Sequence, residues 1–249
     1  MKYPYYSFSF LSLIFVLNTA SSGEGSCDGG ASGLIGCMGD ISSSITLGEN
    51  VDPAKVCEKR KAKLTKDFAS GCNKFMSASD GSYGEYGKTV EAYIDRKGSD
   101  SPFLNDNLKG MSDGAALCPN WKNMTNGERK NFWVWSMGAI ASVESSCQSN
   151  ATNSKATNGT ATGLLQMNDA VSGRKFRGGD CASASADMYN PTDNINCGMT
   201  IMESYVANTG MYNKTGSPWG KGSNSYWQEL RKDGGGLIGN QIRSFPGCN

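Results

Sequence analysis

The chain has 249 residues, with 24 basic and 23 acidic side chains, nine cysteines and no histidine. Its near-neutral charge argues against a nucleic-acid or anionic-membrane partner, because such partners favour a basic patch. The lack of histidine excludes Ser-His-Asp and Cys-His catalytic arrangements and removes the commonest metal ligand, so we expect neither a metal site nor a cofactor.

Residues 1–20 have the layout of a secretory signal peptide. Lys2 precedes an apolar stretch from Phe10 to Leu17, and small residues follow at Ala20 and Ser21. The apolar stretch is too short to span a bilayer, so we expect no membrane anchor. The sequence predicts export to the periplasm or the extracellular space, where the cysteines form disulfides. Because the number of cysteines is odd, at least one has no partner within the chain.

Residues 21–117 are predicted to form an N-terminal extension that is rich in Gly and Ser at first and helical later. Asp52 and Pro53 suit the N-cap and first position of a helix over residues 52–75. A second helical pattern covers residues 83–98. Two or three short strands at most can be placed in the whole chain. The predicted fold class is therefore mainly α, of the α+β type, with disulfides in the extension.

The clearest predicted helix starts at Thr125, which forms a capping box with Glu128. Apolar residues then follow at helical spacing as far as Ile140. Glu144 comes one turn after Ile140 and therefore lies on the apolar face or beside it. Burial against apolar groups raises the pKa of a carboxyl group because it disfavours the charged form. Glu144 is therefore the candidate proton donor. The alternative is a helix-end carboxylate that faces solvent or a salt bridge.

Three motifs follow one another in the second half of the chain. Glu144 and Ser145 end the central helix, residues 163–166 read GLLQ, and residues 190–198 read NPTDNINCG. The polar residues 148–162 predict a surface loop between the first two motifs. This order and spacing resemble the lysozyme-like domain of soluble lytic transglycosylases, whose superfamily includes the goose-type lysozymes.

The resemblance covers residues 119–206 best and implies a lysozyme-like fold for a catalytic domain over residues 118–249. It also implies cleavage of the β-1,4 bond between N-acetylmuramic acid and N-acetylglucosamine in a peptidoglycan glycan strand, with Glu144 as catalytic acid. We expect the enzyme to be a monomer. The residues expected to bind substrate are Ser145, Gly163, Leu164, Leu165, Gln166, Asn194 and Tyr205.

An Ala-Tyr-Asn motif, whose tyrosine assists the acid in this family, is missing from the chain. Tyr226 is the best candidate for a catalytic helper, followed by Tyr205 and Tyr212. Trp219 and Trp227 suit either sugar stacking or the core. Lytic transglycosylases use a single acid, whereas goose-type lysozymes are proposed to add aspartates that orient water, and the sequence leaves this choice open. The aspartates close enough in sequence are Asp169, Asp180, Asp187 and Asp193.

The chain also resembles exported lysozymes of predatory bacteria that act on N-deacetylated peptidoglycan. This resemblance implies a preference for de-N-acetylated, more cationic glycan. A neutral protein also lacks long-range attraction to the anionic intact polymer. The sequence leaves two other functions open: a catalytically silent wall-binding module on the same fold, and a chitinase or chitosanase.

Overall fold

The structure is a computed structural model that describes residues 70–77, 80–112, 117–156, 159–168, 179–181, 187–207, 219–221, 223 and 225–248. The predicted signal peptide, the Gly- and Ser-rich segment and most of the helix predicted over residues 52–75 lie outside these ranges. Tyr212 and Asp169 lie outside them as well.

The described residues are mainly helical, as the sequence predicts. The helices are α1 (Glu85–Asp95), α2 (Asn126–Ser145), α3 (Pro191–Val206) and α4 (Gly236–Arg243), joined by short 3-10 helices. None of these helices combines the length and the apolar character that crossing a membrane requires.

Both helices that the sequence predicts within residues 83–147 are present. α1 buries Tyr86, Val90 and Ile94 on one face, which is the spacing of a helical stripe. At the start of α2, the Glu128 amide donates to Thr125 Oγ1 at 3.2 Å, and the Thr125 amide donates to Glu128 Oε2 at 2.8 Å. The predicted capping box is therefore confirmed.

A small antiparallel sheet lies between α2 and α3. Its strands β1 (Thr152–Asn153), β2 (Ala161–Thr162) and β3 (Met167–Asn168) pair in that order. Residues 148–162 were expected to be a surface loop, and this expectation is wrong in part because β1 and β2 pair their backbone groups. Only β1 is exposed, whereas β2 is buried.

One hydrophobic core surrounds α2 and contains residues from both sides of the predicted boundary at residue 117. Trp133 of α2 is fully buried, meets the Phe103 ring edge-on at 5.0 Å and donates its indole N–H to the Phe103 carbonyl. α1 packs on α3, where the Tyr93 hydroxyl donates to Glu203 Oε2 at 2.7 Å. Residues before and after 117 thus share one core, and the division of the chain at that point stays a prediction.

Three disulfides brace the described residues: Cys72–Cys147, Cys118–Cys248 and Cys181–Cys197. The first joins the segment before α1 to the turn that follows α2, so it fixes the place where the helix of Glu144 ends. All six cysteines of the described ranges are paired in this way. The other three, Cys27, Cys37 and Cys57, lie outside those ranges.

Candidate active site

Glu144 lies in the last turn of α2, where its side chain is half-buried. No described residue donates a hydrogen bond to its carboxyl group. Burial raises the pKa of Glu144 to about 7, and the negative charge of Glu229 adds to the rise. At pH 7 the carboxyl group therefore carries a proton in about half of the molecules.

The backbone next to Glu144 is unusual. Among the described residues, the non-glycine residues with positive φ are Ser146 (52°), Cys147 (59°) and Gln166 (50°). Left-handed conformations are uncommon for such residues, and they cluster at functional sites. Two of the three lie two and three residues after Glu144, and the third lies in the GLLQ motif.

Ser145 joins the end of α2 to the GLLQ motif. Its Oγ lies 2.7 Å from the Leu164 carbonyl oxygen and 3.0 Å from that of Ala141. The hydroxyl has one proton and both partners are acceptors, so it donates to its own helix or to the facing segment, or shares its proton between the two carbonyls. The Glu-Ser pair thus places an acid and its structural anchor at adjacent positions.

Asn194 of the third motif holds the GLLQ motif from the other side. It is fully buried, accepts a hydrogen bond from the Leu165 amide at 2.9 Å and donates to the carbonyls of Thr162 (3.0 Å) and Met188 (2.8 Å). Asn190 caps α3 by accepting from the Thr192 amide at 2.9 Å. The third motif therefore starts a helix and satisfies the buried backbone around the second motif.

Two glycines of the motifs allow close approach. A β carbon on Gly198 of α3 would lie 2.2 Å from Leu165 Cδ1 and 3.1 Å from Met137 Cε of α2. Gly163 has a φ of +76°, and a β carbon there would lie 2.2 Å from the Met188 carbonyl oxygen. The three motifs thus form one tightly packed unit around the end of α2.

The C-terminal segment completes this unit. The Trp227 indole donates to the Leu165 carbonyl at 3.1 Å. The Tyr226 hydroxyl donates to the Gln166 carbonyl at 3.1 Å and accepts from the Asn168 amide at 2.6 Å. Both bonds of the hydroxyl position the backbone of residues 166–168, so Tyr226 belongs to the same site, although its predicted role as helper of Glu144 stays a prediction.

Several residues expected to bind substrate are buried. Leu164, Leu165 and Asn194 have no exposed surface, and Tyr205 on α3 is 2% exposed. Their side chains therefore pack and brace the site, and this burial argues against direct contact with a sugar. Gly163 is buried too.

Ser145 and Gln166 are the partly exposed members of the predicted set. The Gln166 side-chain amide donates to the carbonyls of Gly163 (2.9 Å) and Ala151 (3.3 Å). Both bonds use the side-chain nitrogen, so the Gln166 Oε1 atom can still accept a hydrogen bond.

The other aromatic and acidic candidates have structural partners. Trp219 and Trp227 are 8% and 2% exposed, which supports the core alternative over sugar stacking. Asp180 pairs with Arg96 of α1 at 2.9 Å. Asp187 and Asp193 bond to the backbone near the start of α3; they accept from the amides of Tyr189 and Asp187, respectively.

Glu229 was not among the residues predicted from the sequence. Its negative charge adds to the rise in the pKa of Glu144. It lies 85 positions further along the chain and belongs to none of the three motifs, so no local pattern points to it. Within the described ranges, no group of three or more acidic or cysteine side chains is arranged to hold a metal ion.

Residues 123–236 match the family model of the transglycosylase SLT domain. The chain carries an SLT domain. This domain belongs to the lysozyme-like superfamily and contains Glu144 and the three motifs. An SLT domain implies cleavage of the peptidoglycan glycan in the manner of lytic transglycosylases and lysozymes, so the protein is an enzyme of this type.

Solved structures of Bd0314 DslA share the fold. One glutamine mutant matches with a TM-score of 0.52, while the wild-type form 2 and a second glutamine mutant each match with 0.51. Each is 19% identical, and the alignment covers 66% of this chain and 91% of that protein. The lysozyme-like fold expected around the SLT domain is thereby confirmed. No curated protein sequence matches the chain.

Proposed function

We propose that the protein is an exported monomeric enzyme that cleaves the β-1,4 bond between N-acetylmuramic acid and N-acetylglucosamine, with Glu144 as general acid. The observation that carries the proposal is the half-buried carboxyl group at the end of α2, whose pKa burial raises to about 7. A glycosidic oxygen is a poor leaving group and must be protonated as the bond breaks. Its proton donor must therefore still hold a proton near neutral pH.

In the proposed reaction, Glu144 gives its proton to the glycosidic oxygen, which leaves with the electrons of the broken C–O bond. The 6-hydroxyl of the same sugar, or a water molecule, then attacks the positively charged anomeric carbon of the muramic ring. The Glu144 carboxylate takes the proton that this oxygen releases. Ser145 and Gln166 are the predicted contacts that retain some exposure. Tyr226 is proposed to assist by fixing the backbone of residues 166–168.

Clearing of a peptidoglycan suspension tests the role of Glu144. Glu144→Gln keeps the shape of the side chain and removes its acid, so we expect a loss of about 10²-fold or more. Glu128→Gln is the matched control, because it changes a carboxyl group on the same helix and a glutamine can retain the capping box. Equal clearing by the wild type and Glu144→Gln would contradict the proposal.

Two further results would favour the other functions. Peptidoglycan binding without clearing, by both the wild type and Glu144→Gln, would indicate a silent wall-binding module. Digestion of chitin or chitosan oligosaccharides with no digestion of peptidoglycan would indicate a chitinase or chitosanase.

Mass analysis of the products distinguishes the two fates of the muramic ring. Anhydro-muramyl ends would identify a lytic transglycosylase, whereas reducing ends would identify a lysozyme. The described aspartates give no support to a water-orienting role, since Asp180, Asp187 and Asp193 already have structural partners.

The substrate and export proposals rest on other features. Residues 1–20 suit a signal peptide, and the three disulfides are consistent with an oxidising compartment. We also propose a preference for de-N-acetylated glycan, since the near-neutral chain gives no long-range attraction to an anionic polymer. Equal turnover of acetylated and de-N-acetylated sacculi would refute this preference, and an intact N-terminus on the secreted protein would refute cleavage of a signal peptide.

A further inference from the structure

Glu229 and Glu144 lie at opposite ends of one hydrogen-bonded unit. Ser145, next to Glu144, bonds to the Leu164 carbonyl. Trp227 and Tyr226, two and three residues before Glu229, bond to the carbonyls of the next two residues, 165 and 166. The backbone of residues 164–166 is therefore held by near neighbours of both glutamates, so the end of α2 and the segment before α4 meet at the same three residues.

The Glu229 carboxyl group is held in place on several sides. One oxygen forms an ion pair with Lys232, three residues further on. The other, Oε2, is buried, and no described donor reaches it with normal hydrogen-bond geometry. A β carbon on Gly236 would lie 2.8 Å from Oε2 and 2.8 Å from the Glu229 carbonyl oxygen, so only a glycine leaves room for this arrangement.

The same surroundings keep Glu229 ionised. The hydrogen bond from Lys232 lowers the pKa of Glu229, and the Leu237 amide at the start of α4 lowers it further, against an opposing effect of burial. Glu229 therefore carries a fixed negative charge within the same hydrogen-bonded unit as Glu144.

We propose that Glu229 is a positioning residue for the reaction, whose fixed negative charge retains the proton on Glu144 until the glycosidic oxygen receives it. A like charge nearby disfavours ionisation of the acid. Two carboxyl groups whose environments differ in this way divide into a protonated acid and an ionised partner. The inference rests on the proposed role of Glu144 and adds a residue to that site.

Among the residues that the structure describes, few other charged groups lie on the elements around Glu144. Residues 163–168 carry no titratable side chain, and Glu128, the other acid of α2, lies 16 residues away, or about 24 Å along the helix. Lys155 lies in the exposed turn after β1, and Asp193 bonds at the start of α3. The C-terminal segment adds Tyr226, Arg231 and Lys232; the Arg231 guanidinium is bound to the carbonyls of Ser225 and Tyr226.

The test is the pH profile of kcat/KM for the full-length enzyme on peptidoglycan. Glu229→Gln removes the charge and keeps the shape, so its alkaline limb should move to lower pH. We expect a shift of about half a pH unit, because the like charge is the smaller of the two causes that act on Glu144; activity at pH 8 would then fall about threefold and activity at pH 5 would not change. Glu229→Asp, which retains the charge, should restore most of the wild-type profile.

Asp233→Asn is the matched control, since it removes an exposed carboxylate four residues further on and should leave the limb in place. Lys232→Gln is a second variant that keeps both glutamates, and its limb should move to higher pH. An unmoved limb in Glu229→Gln and Lys232→Gln, or a loss of activity that is equal at every pH, would overturn the inference. Such results would leave the role of Glu144 standing if Glu144→Gln is inactive, whereas an active Glu144→Gln would remove both proposals.

Discussion

The raised pKa of Glu144 has a measurable consequence for stability. The pKa of this carboxyl group is about 7 in the folded protein, against an ordinary value of 4.5. Between these two pH values the unfolded chain releases the proton and the folded protein keeps it, so the free energy of unfolding falls as pH rises. The loss begins near pH 4.5, is complete just above pH 7 and amounts to about 3 kcal/mol.

Glu144→Gln removes this titration without changing the size of the side chain. Relative to the wild type, we expect its free energy of unfolding to gain about 3 kcal/mol between pH 4 and pH 8. The change with pH is the measured quantity, because any fixed cost of burying the new amide is the same at both pH values. Urea unfolding with the disulfides intact provides it, with Glu128→Gln as the control on the same helix. A difference between wild type and Glu144→Gln that is the same at pH 4 and pH 8 would refute the reasoning.

Three further predictions concern stability and are tested by denaturant unfolding. Asn194→Ala leaves two carbonyls and one amide without partners and should cost about 2–5 kcal/mol, so a cost below 1 kcal/mol would contradict its bracing role. Gly163→Ala should destabilise the protein by more than 1 kcal/mol, because the new β carbon would lie 2.2 Å from the Met188 carbonyl oxygen. Gly127→Ala in α2 is the control and should be neutral or stabilising, because its nearest neighbour is 3.9 Å away. Similar effects at the two glycines would contradict this prediction. A disulfide that closes a longer loop restricts the unfolded chain more and should stabilise the protein more. Replacing Cys118 and Cys248, 130 residues apart, by serine should therefore cost about 5 kcal/mol, against about 3 kcal/mol for Cys181 and Cys197, which are 16 residues apart. A larger cost for the second pair would contradict this reasoning.

Local signals in the sequence were enough to predict the helix that carries Glu144. The capping box at Thr125 and Glu128 is a short-range pattern, and it is present in the structure. The apolar spacing that leads to Glu144 likewise depends only on the period of a helix. The three motifs indicated which segments meet at the site, and the bonds of Ser145 and Asn194 show that they do meet.

The roles within those motifs were harder to predict. Leu164, Leu165 and Asn194 are fully buried in the structure, and a motif alone does not distinguish a packing role from contact with a ligand, so their predicted contact with substrate stays a prediction. The disulfide partners could not be derived, since pairing depends on which segments meet in space. Glu229 shows the same limit, because its approach to the site depends on how the C-terminal segment packs on residues 164–166.

The most direct test of the catalytic proposal is a titration of the Glu144 carboxyl group by carbon NMR, with Glu144→Gln used to assign the signal. A group that serves as acid near neutral pH should titrate with a midpoint near pH 7. A midpoint near 4.5, the ordinary value for glutamate, would show that the carboxyl group is already ionised and would contradict its role as proton donor.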